Sequence, residues 1–282
     1  MTNNVPLAPN MARFRASDGT SLAYRVDDFT DPWRTPAIPV LLLHPAMSSY
    51  RRWFGWLPVV AREYTCITPE LRGHGASEIP GEDRPLTLER LLADALELLD
   101  HLGVEKAHVV GNSAGGYIGQ RMAIEAPARV ASLSLFAASP GLAGTQATGW
   151  VARFQRDGIE RFIRETIADR FPADQDPGFL EWFPKDMGRN DPAFIGRFVN
   201  HMSSRNWAGD LPRIQCPTLL VAPGAEPIGH HGLYEGMRDA IPNAKLITYD
   251  GMPHNVGDAV PERCARDVLA FLADLEGKGT QA

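Results

Sequence analysis

The chain has 282 residues, of which 44% are hydrophobic and 22% charged, and its formal net charge is −6. Such a chain is typical of a soluble globular protein with one large domain or two small ones. The acidic balance argues against a nucleic-acid partner, because nucleic-acid surfaces are usually basic. No uninterrupted run of about 18 apolar residues occurs, so we expect no membrane-spanning helix.

The N-terminus and the cysteines indicate a cellular location. Residues 1–6 contain neither a basic segment nor an apolar segment, so no secretory signal is visible and we expect a cytoplasmic protein. The three cysteines, Cys66, Cys216 and Cys264, are widely spaced and odd in number. We therefore expect reduced thiols in or near the core rather than disulfides or a metal site.

Short apolar runs alternate with amphipathic stretches along most of the chain. An early hairpin is predicted on either side of the turn at Asp18-Gly19, and a helix is predicted between Thr87 and Gly103. The predicted strands are residues 11–17, 22–27, 40–43, 64–69, 107–110, 130–137, 218–222 and 244–249, and the other predicted helices are 53–63, 114–126, 232–240 and 262–275. This alternation predicts an α/β protein with a mostly parallel central sheet flanked by helices.

Residues 139–213 interrupt the alternation. This stretch has no convincing buried strand, and it carries ten Phe and Trp residues with arginines between them. We interpret it as a helical cap inserted between two parts of a core, residues 1–138 and 214–282. The aromatic residues favour a mainly apolar pocket. We expect the arginines to be solvated, although one that pointed inward would change the substrate class.

A nucleophile is predicted where an apolar strand ends. Gly111-Asn112-Ser113-Ala114-Gly115 has the pattern G-x-S-x-G and follows the run at residues 107–110. A tight turn from strand to helix would lift Ser113 clear of the sheet on a strained backbone, with glycines where side chains would collide.

A base and an orienting acid are predicted on later loops. His254 follows the strand at residues 244–249, and Glu226 follows the strand at 218–222, so both would lie at the same sheet edge as Ser113. Asp250 precedes His254 too closely to reach the far side of its ring easily. We therefore favour Glu226 as the acid and His254 as the base.

Two backbone amides are needed for an oxyanion. One is the N–H of Ala114, at the start of a helix. The other should come from the loop after residues 40–43, where Pro45 has no N–H; Ala46 is the first choice and Met47 the second. We expect His44 to shape this loop through hydrogen bonds.

These motifs together resemble the α/β-hydrolase superfamily, of the type with a helical cap. The resemblance rests on four more segments, His44-Pro45-Ala46-Met47, Glu70-Leu71-Arg72-Gly73-His74-Gly75-Ala76-Ser77, Gly224-Ala225-Glu226-Pro227 and the final Gly251–His254. The chain departs from the usual pattern at Pro45 (usually Gly), Glu70 (usually Asp) and Glu226 (usually Asp). The resemblance implies acyl transfer through Ser113, since haloalkane dehalogenases and epoxide hydrolases of this fold have an aspartate there.

The sequence thus predicts a serine esterase or lactonase for a small-to-medium hydrophobic substrate. A carbon–carbon bond hydrolase or perhydrolase with the same triad is an alternative, and a ligand receptor without turnover is another. We expect no cofactor and no metal, and we interpret His230 and His231 as pocket-rim or surface residues. No nucleic-acid or membrane partner is expected, and the sequence is compatible with a homo-oligomer.

Overall fold

The computed structural model describes residues 8, 10–84, 86–143, 147–228 and 232–277. Eight strands are present in this part of the chain: β1 (Met11–Arg15), β2 (Ser21–Asp27), β3 (Val40–Leu43), β4 (Cys66–Pro69), β5 (Ala107–Asn112), β6 (Val130–Phe136), β7 (Thr218–Pro223) and β8 (Ala244–Tyr249). They form one sheet in the order β1-β2-β4-β3-β5-β6-β7-β8. β2 is antiparallel to both of its neighbours, and the remaining pairs are parallel. The predicted hairpin and the mostly parallel sheet are confirmed.

Ten α-helices are found in the described residues: α1 (Leu57–Val60), α2 (Leu88–His101), α3 (Ala114–Glu125), α4 (Ala147–Asp157), α5 (Ile159–Glu165), α6 (Pro177–Met187), α7 (Pro192–Ser203), α8 (Leu233–Ala240), α9 (Val256–Ala259) and α10 (Pro261–Leu275). The side chains of β3 show how these helices cover the sheet. Leu41 and Leu43 pack in the cluster that contains α2, α3 and α8, whereas Val40 and Leu42 pack in the cluster that contains α1 and α10. Alternate residues of a strand point to opposite faces, so both faces of the sheet are buried.

The helix predicted at residues 53–63 is shorter than expected. A 3-10 turn at Tyr50–Trp53 precedes α1. Gly55 lies between the two, and a Cβ atom there would come within 2.6 Å of Pro261 Cγ. Pro58 stands in the first turn of α1, where a missing N–H costs nothing. The close packing of Gly55 against α10, and the proline in the first turn of α1, therefore divide residues 53–63 into a 3-10 turn and a short helix.

Helices α4 to α7 lie between β6 and β7 in the chain and have a hydrophobic cluster of their own. Phe154, Phe162 and Phe183 are at most 1% exposed and pack there, together with Met47 from the loop after β3. The helical character expected for residues 139–213 is thus found in its described part. The division of the chain into a core and a cap stays a prediction.

Other expectations concern the cysteines, two histidines and membrane-spanning helices. Cys66 and Cys264 are buried, Cys216 is partly buried, and all three are free thiols, as expected. His230 and His231 lie outside the described residues. No helix that the structure describes combines the length and the apolarity that a membrane crossing needs.

Glu70, which follows β4, is a buried carboxyl group that shapes the loop after it. Its Oε2 accepts a hydrogen bond from the N–H of Ala76, and its backbone carbonyl accepts one from the Ser77 hydroxyl. Burial raises the pKa of Glu70 to about 7. In the unfolded chain the pKa of this carboxyl group has its ordinary value of 4.5. Between these two pKa values the folded protein therefore keeps a proton that the unfolded chain has lost.

We expect Glu70 to make stability fall as the pH rises. Its contribution is complete below pH 4.5 and is lost as the pH rises to about 7, for a total of about 3 kcal/mol. Glu70→Gln cannot titrate, so urea unfolding of the variant between pH 4.5 and 8 should lack this fall. Other titrating groups are common to both proteins and cancel in the difference. Parallel stability curves for the two proteins would contradict the prediction.

Candidate active site

The turn at Ser113 has the strained geometry that the sequence predicted. β5 ends and α3 begins around this residue, whose φ is 48° and ψ is −113°. Non-glycine residues rarely adopt a positive φ, and such strain is concentrated at functional sites. The N–H of Ser113 donates to the carbonyl of Phe136 at 2.9 Å, which ties the turn to the end of β6.

Gly115 lets α3 begin directly against β3. A Cβ atom at this position would lie 2.0 Å from the carbonyl oxygen of Leu43 and 2.8 Å from that of His44. We expect Gly115→Ala to lower the free energy of unfolding by roughly 1–3 kcal/mol or more, because backbone atoms must move. Urea unfolding measures this change.

Gly149 in α4 provides the matched control. Among the described residues, no atom outside its own helix would lie within 4 Å of a Cβ atom there. Gly149→Ala should therefore leave stability unchanged or raise it by roughly 0.4–1 kcal/mol. Equal effects of the two substitutions would show that the close contact at Gly115 carries no cost.

The structure brings His254 to Ser113. His254 Nε2 lies 3.2 Å from Ser113 Oγ. The loop that carries it follows β8 and is bonded to the helical insertion: the N–H of His254 donates to the carbonyl of Asp169, and that of Asn255 to the carbonyl of Arg170. The imidazole is therefore held between the sheet and the insertion.

Glu226 lies on the other side of the same imidazole. His254 Nδ1 is 2.8 Å from Glu226 Oε2 and 3.0 Å from Oε1, and the carboxylate is fully buried. A carboxylate at Nδ1 keeps the proton on that nitrogen in the neutral ring, so Nε2 is free to accept the proton of Ser113. Asp250, the alternative acid, is exposed.

Among the described residues, a backbone N–H and a tyrosine hydroxyl also donate to Glu226. The N–H of Ile228 donates to Oε1 at 2.9 Å, and the hydroxyl of Tyr234 donates to Oε2 at 3.3 Å. Burial, followed by the nearby charge of Glu226, raises the pKa of Tyr234 well above 10, so it stays a neutral donor. Tyr234 was not among the residues singled out in the sequence, since nothing in its helix distinguishes it from a core tyrosine.

Three predicted oxyanion residues, Ala46, Met47 and Ala114, line one cavity with Ser113 and His254. Within the described residues, none of their backbone N–H groups donates a hydrogen bond to protein. His44 shapes the loop: its Nδ1 donates to the carbonyl of Pro45 and its Nε2 accepts from the N–H of Leu71. Burial holds the pKa of His44 well below 6.5, so the ring is neutral, as these two bonds require.

The walls of this cavity are mainly apolar, with several polar side chains among them. Leu142, Trp150, Met187 and Phe198 form part of the apolar wall, whereas most other insertion aromatics pack among themselves. The polar side chains that line it besides the triad include Arg52, Ser139, Arg170 and Asn255. The expectation that the insertion arginines are solvated is wrong for Arg170, which is 7% exposed. Its burial depends on how the insertion packs on the core, which no local pattern shows.

Comparison with known proteins identifies the family. A family model for the alpha/beta hydrolase fold matches residues 38–258. The chain belongs to the α/β-hydrolase fold family. A solved hydrolase from Pseudomonas aeruginosa PA01 superposes with a TM-score of 0.83 at 29% identity, over 94% of this chain and 99% of that one.

Two curated relatives of the present chain are named for particular reactions. A fluoroacetate dehalogenase from Burkholderia sp is 29% identical over 272 residues, 83% of this chain and 87% of the relative. A 3-oxoadipate enol-lactonase from Acinetobacter baylyi is 30% identical over 175 residues, 59% of this chain and 63% of the relative. The relatives support hydrolysis as the class of reaction and differ in the bond that is cleaved.

Proposed function

We propose that this hydrolase cleaves a carboxylic ester or a lactone of small-to-medium size through an acyl-enzyme on Ser113. The observation that carries the proposal is the unbroken contact from Glu226 through His254 to Ser113, with separations of 2.8 Å and 3.2 Å. A receptor that only binds its ligand has no use for a general base. The serine also differs from the aspartate that haloalkane dehalogenases and epoxide hydrolases of this fold have at the elbow.

The geometry gives each residue a step in the reaction. His254 Nε2 takes the proton of Ser113 as Oγ attacks the carbonyl carbon, and Glu226 stabilises the imidazolium that forms. The amides of Ala114 and of Ala46 or Met47 donate to the oxyanion. His254 returns the proton to the leaving alcohol as the carbon–oxygen bond breaks. Water, deprotonated by His254, then attacks the acyl group and releases the acid and Ser113.

The apolar wall of the cavity and the lactonase relative favour esters and lactones with a hydrocarbon portion. The test is a panel of p-nitrophenyl esters of increasing chain length, aliphatic lactones and vinylogous diketones, with purified protein and with His254→Ala as the inactive reference. We expect ester or lactone turnover that depends on His254. Turnover of diketones alone would favour carbon–carbon hydrolysis, and no turnover with retained ligand binding would favour a receptor.

A further inference from the structure

Arg170 is a buried cation in the wall of the catalytic cavity. It follows the 3-10 turn Ile167–Asp169 and lines the cavity together with Ser113 and His254. Its guanidinium lies 5.5 Å from the centroid of the Phe162 ring, and its Nη1 donates to the carbonyl of Thr166 at 3.2 Å. No carboxylate forms an ion pair with it in the described part of the chain, which contains every aspartate and glutamate of the sequence.

Arg52 is a second arginine that lines the same cavity, and its guanidinium lies 4.4 Å from the centroid of the Phe183 ring. Two of its nitrogens, Nε and Nη2, donate to the buried carboxylate of Asp258. The third, Nη1, is buried and has no hydrogen-bond partner among the described residues. Asn255, which also lines the cavity, donates to Asp258 through its side-chain amide at 3.3 Å. One donor of Arg52 is therefore left over after its own ion pair is complete.

The two arginines of the cavity wall differ in their ion pairs. Asp258 pairs with Arg52, whereas no carboxylate among the described residues forms an ion pair with Arg170. Burial lowers the pKa of Arg170 to about 10; the charge of the neighbouring Asp169 opposes this shift, and the charges of Arg52 and Arg153 contribute to it. Arg170 is still protonated at neutral pH. A buried charge without a partner is costly, and a bound anion would remove that cost.

We propose that the ester or lactone substrate carries a carboxylate group, which Arg170 and the free Nη1 of Arg52 bind. The inference rests on the proposed function and adds the substrate class. A carboxylate supplies the ion-pair partner that Arg170 lacks among the described residues, and a planar guanidinium donates to it in two directions. The apolar wall would then contact the hydrocarbon part between the carboxylate and the scissile carbonyl.

The test compares two substrates that differ at one end. Mono-p-nitrophenyl glutarate has a carboxylate where p-nitrophenyl valerate has a methyl group, with the same chain between. For the wild-type protein we expect the glutarate to have the higher kcat/KM. Arg170→Met should lower kcat/KM for the glutarate by roughly 10- to 100-fold and change that for the valerate by less than about 3-fold, in line with a lost hydrogen bond to a charged group.

Arg153→Met is the matched control. Its guanidinium lies 5.1 Å from the same Phe162 ring, but its side chain is 41% exposed and paired with Glu165, and it does not line the cavity. This variant should keep the wild-type preference. Arg170→Lys, which retains the charge, should keep part of it and serves if the methionine variant does not fold.

The outcomes separate this inference from the proposed function. If the wild-type protein cleaves both esters without preferring the glutarate, the carboxylate site is refuted while the hydrolase stands. Equal losses on both esters in Arg170→Met would assign that residue a structural role and refute it as well. If neither ester nor any other ester or lactone is cleaved, the proposed function itself fails.

Discussion

Replacing Ser113 by alanine should lower ester turnover by about a million-fold. The substitution removes the only atom that can form the acyl-enzyme while keeping the Cβ, so the fold and the melting temperature should change little. Steady-state kinetics at matched protein concentration, with a thermal melt of each protein, checks both statements.

The control for a lost hydroxyl is Ser203→Ala. The Ser203 hydroxyl donates to the carbonyl of Val199 within α7 and does not line the cavity. This variant should retain activity within about 2-fold, because its hydroxyl lies outside the cavity. The lost hydrogen bond contributes only about 1 kcal/mol to stability, so the protein should stay folded. A Ser113→Ala protein that kept a hundredth or more of the wild-type rate, after contamination was excluded, would mean that another group is the nucleophile.

Glu226→Gln should lower kcat by about ten-thousand-fold. An amide keeps the size of the side chain but can donate to His254 Nδ1, which favours the tautomer with the proton on Nε2. That nitrogen then faces Ser113 Oγ with a proton and cannot act as a base. The expected change is in kcat rather than KM, because Glu226 is buried behind the imidazole.

Asp250→Asn is the matched control for the acid. Asp250 is the carboxylate that precedes His254 most closely in the chain, and it is exposed. Its amide variant should keep activity within about 3-fold, as surface substitutions usually have small effects. A large loss in Asp250→Asn with full activity in Glu226→Gln would reverse the assignment of the orienting acid.

The contacts among Ser113, Glu226 and His254 could be anticipated because each residue follows a recognisable strand. In a parallel sheet, the ends of β5, β7 and β8 meet at one edge, so three local patterns are enough to bring distant residues together. The strained turn could be anticipated in the same way, since Gly111 and Gly115 stand where a side chain would meet backbone.

The polar part of the cavity could not be anticipated, because it depends on packing between distant segments. Arg170 resembles eight other arginines of residues 139–213 in sequence, and only its packing against distant segments makes it a buried residue. Arg52 is paired with Asp258, 206 positions later in the chain. The break in the predicted helix at residues 53–63 has the same origin, since Gly55 leaves room for the ring of Pro261, which is distant in the chain.

The central claim is that His254 and Glu226 make Ser113 unusually nucleophilic, and covalent labelling tests it most directly. Phenylmethylsulfonyl fluoride should add one sulfonyl group per chain, as measured by intact mass, and ester turnover should fall in proportion to the labelled fraction. The label should map to the peptide that contains Ser113. His254→Ala should remain unlabelled over the same period. Inhibition with the label on another residue, or full labelling of Ser113 in His254→Ala, would contradict the account.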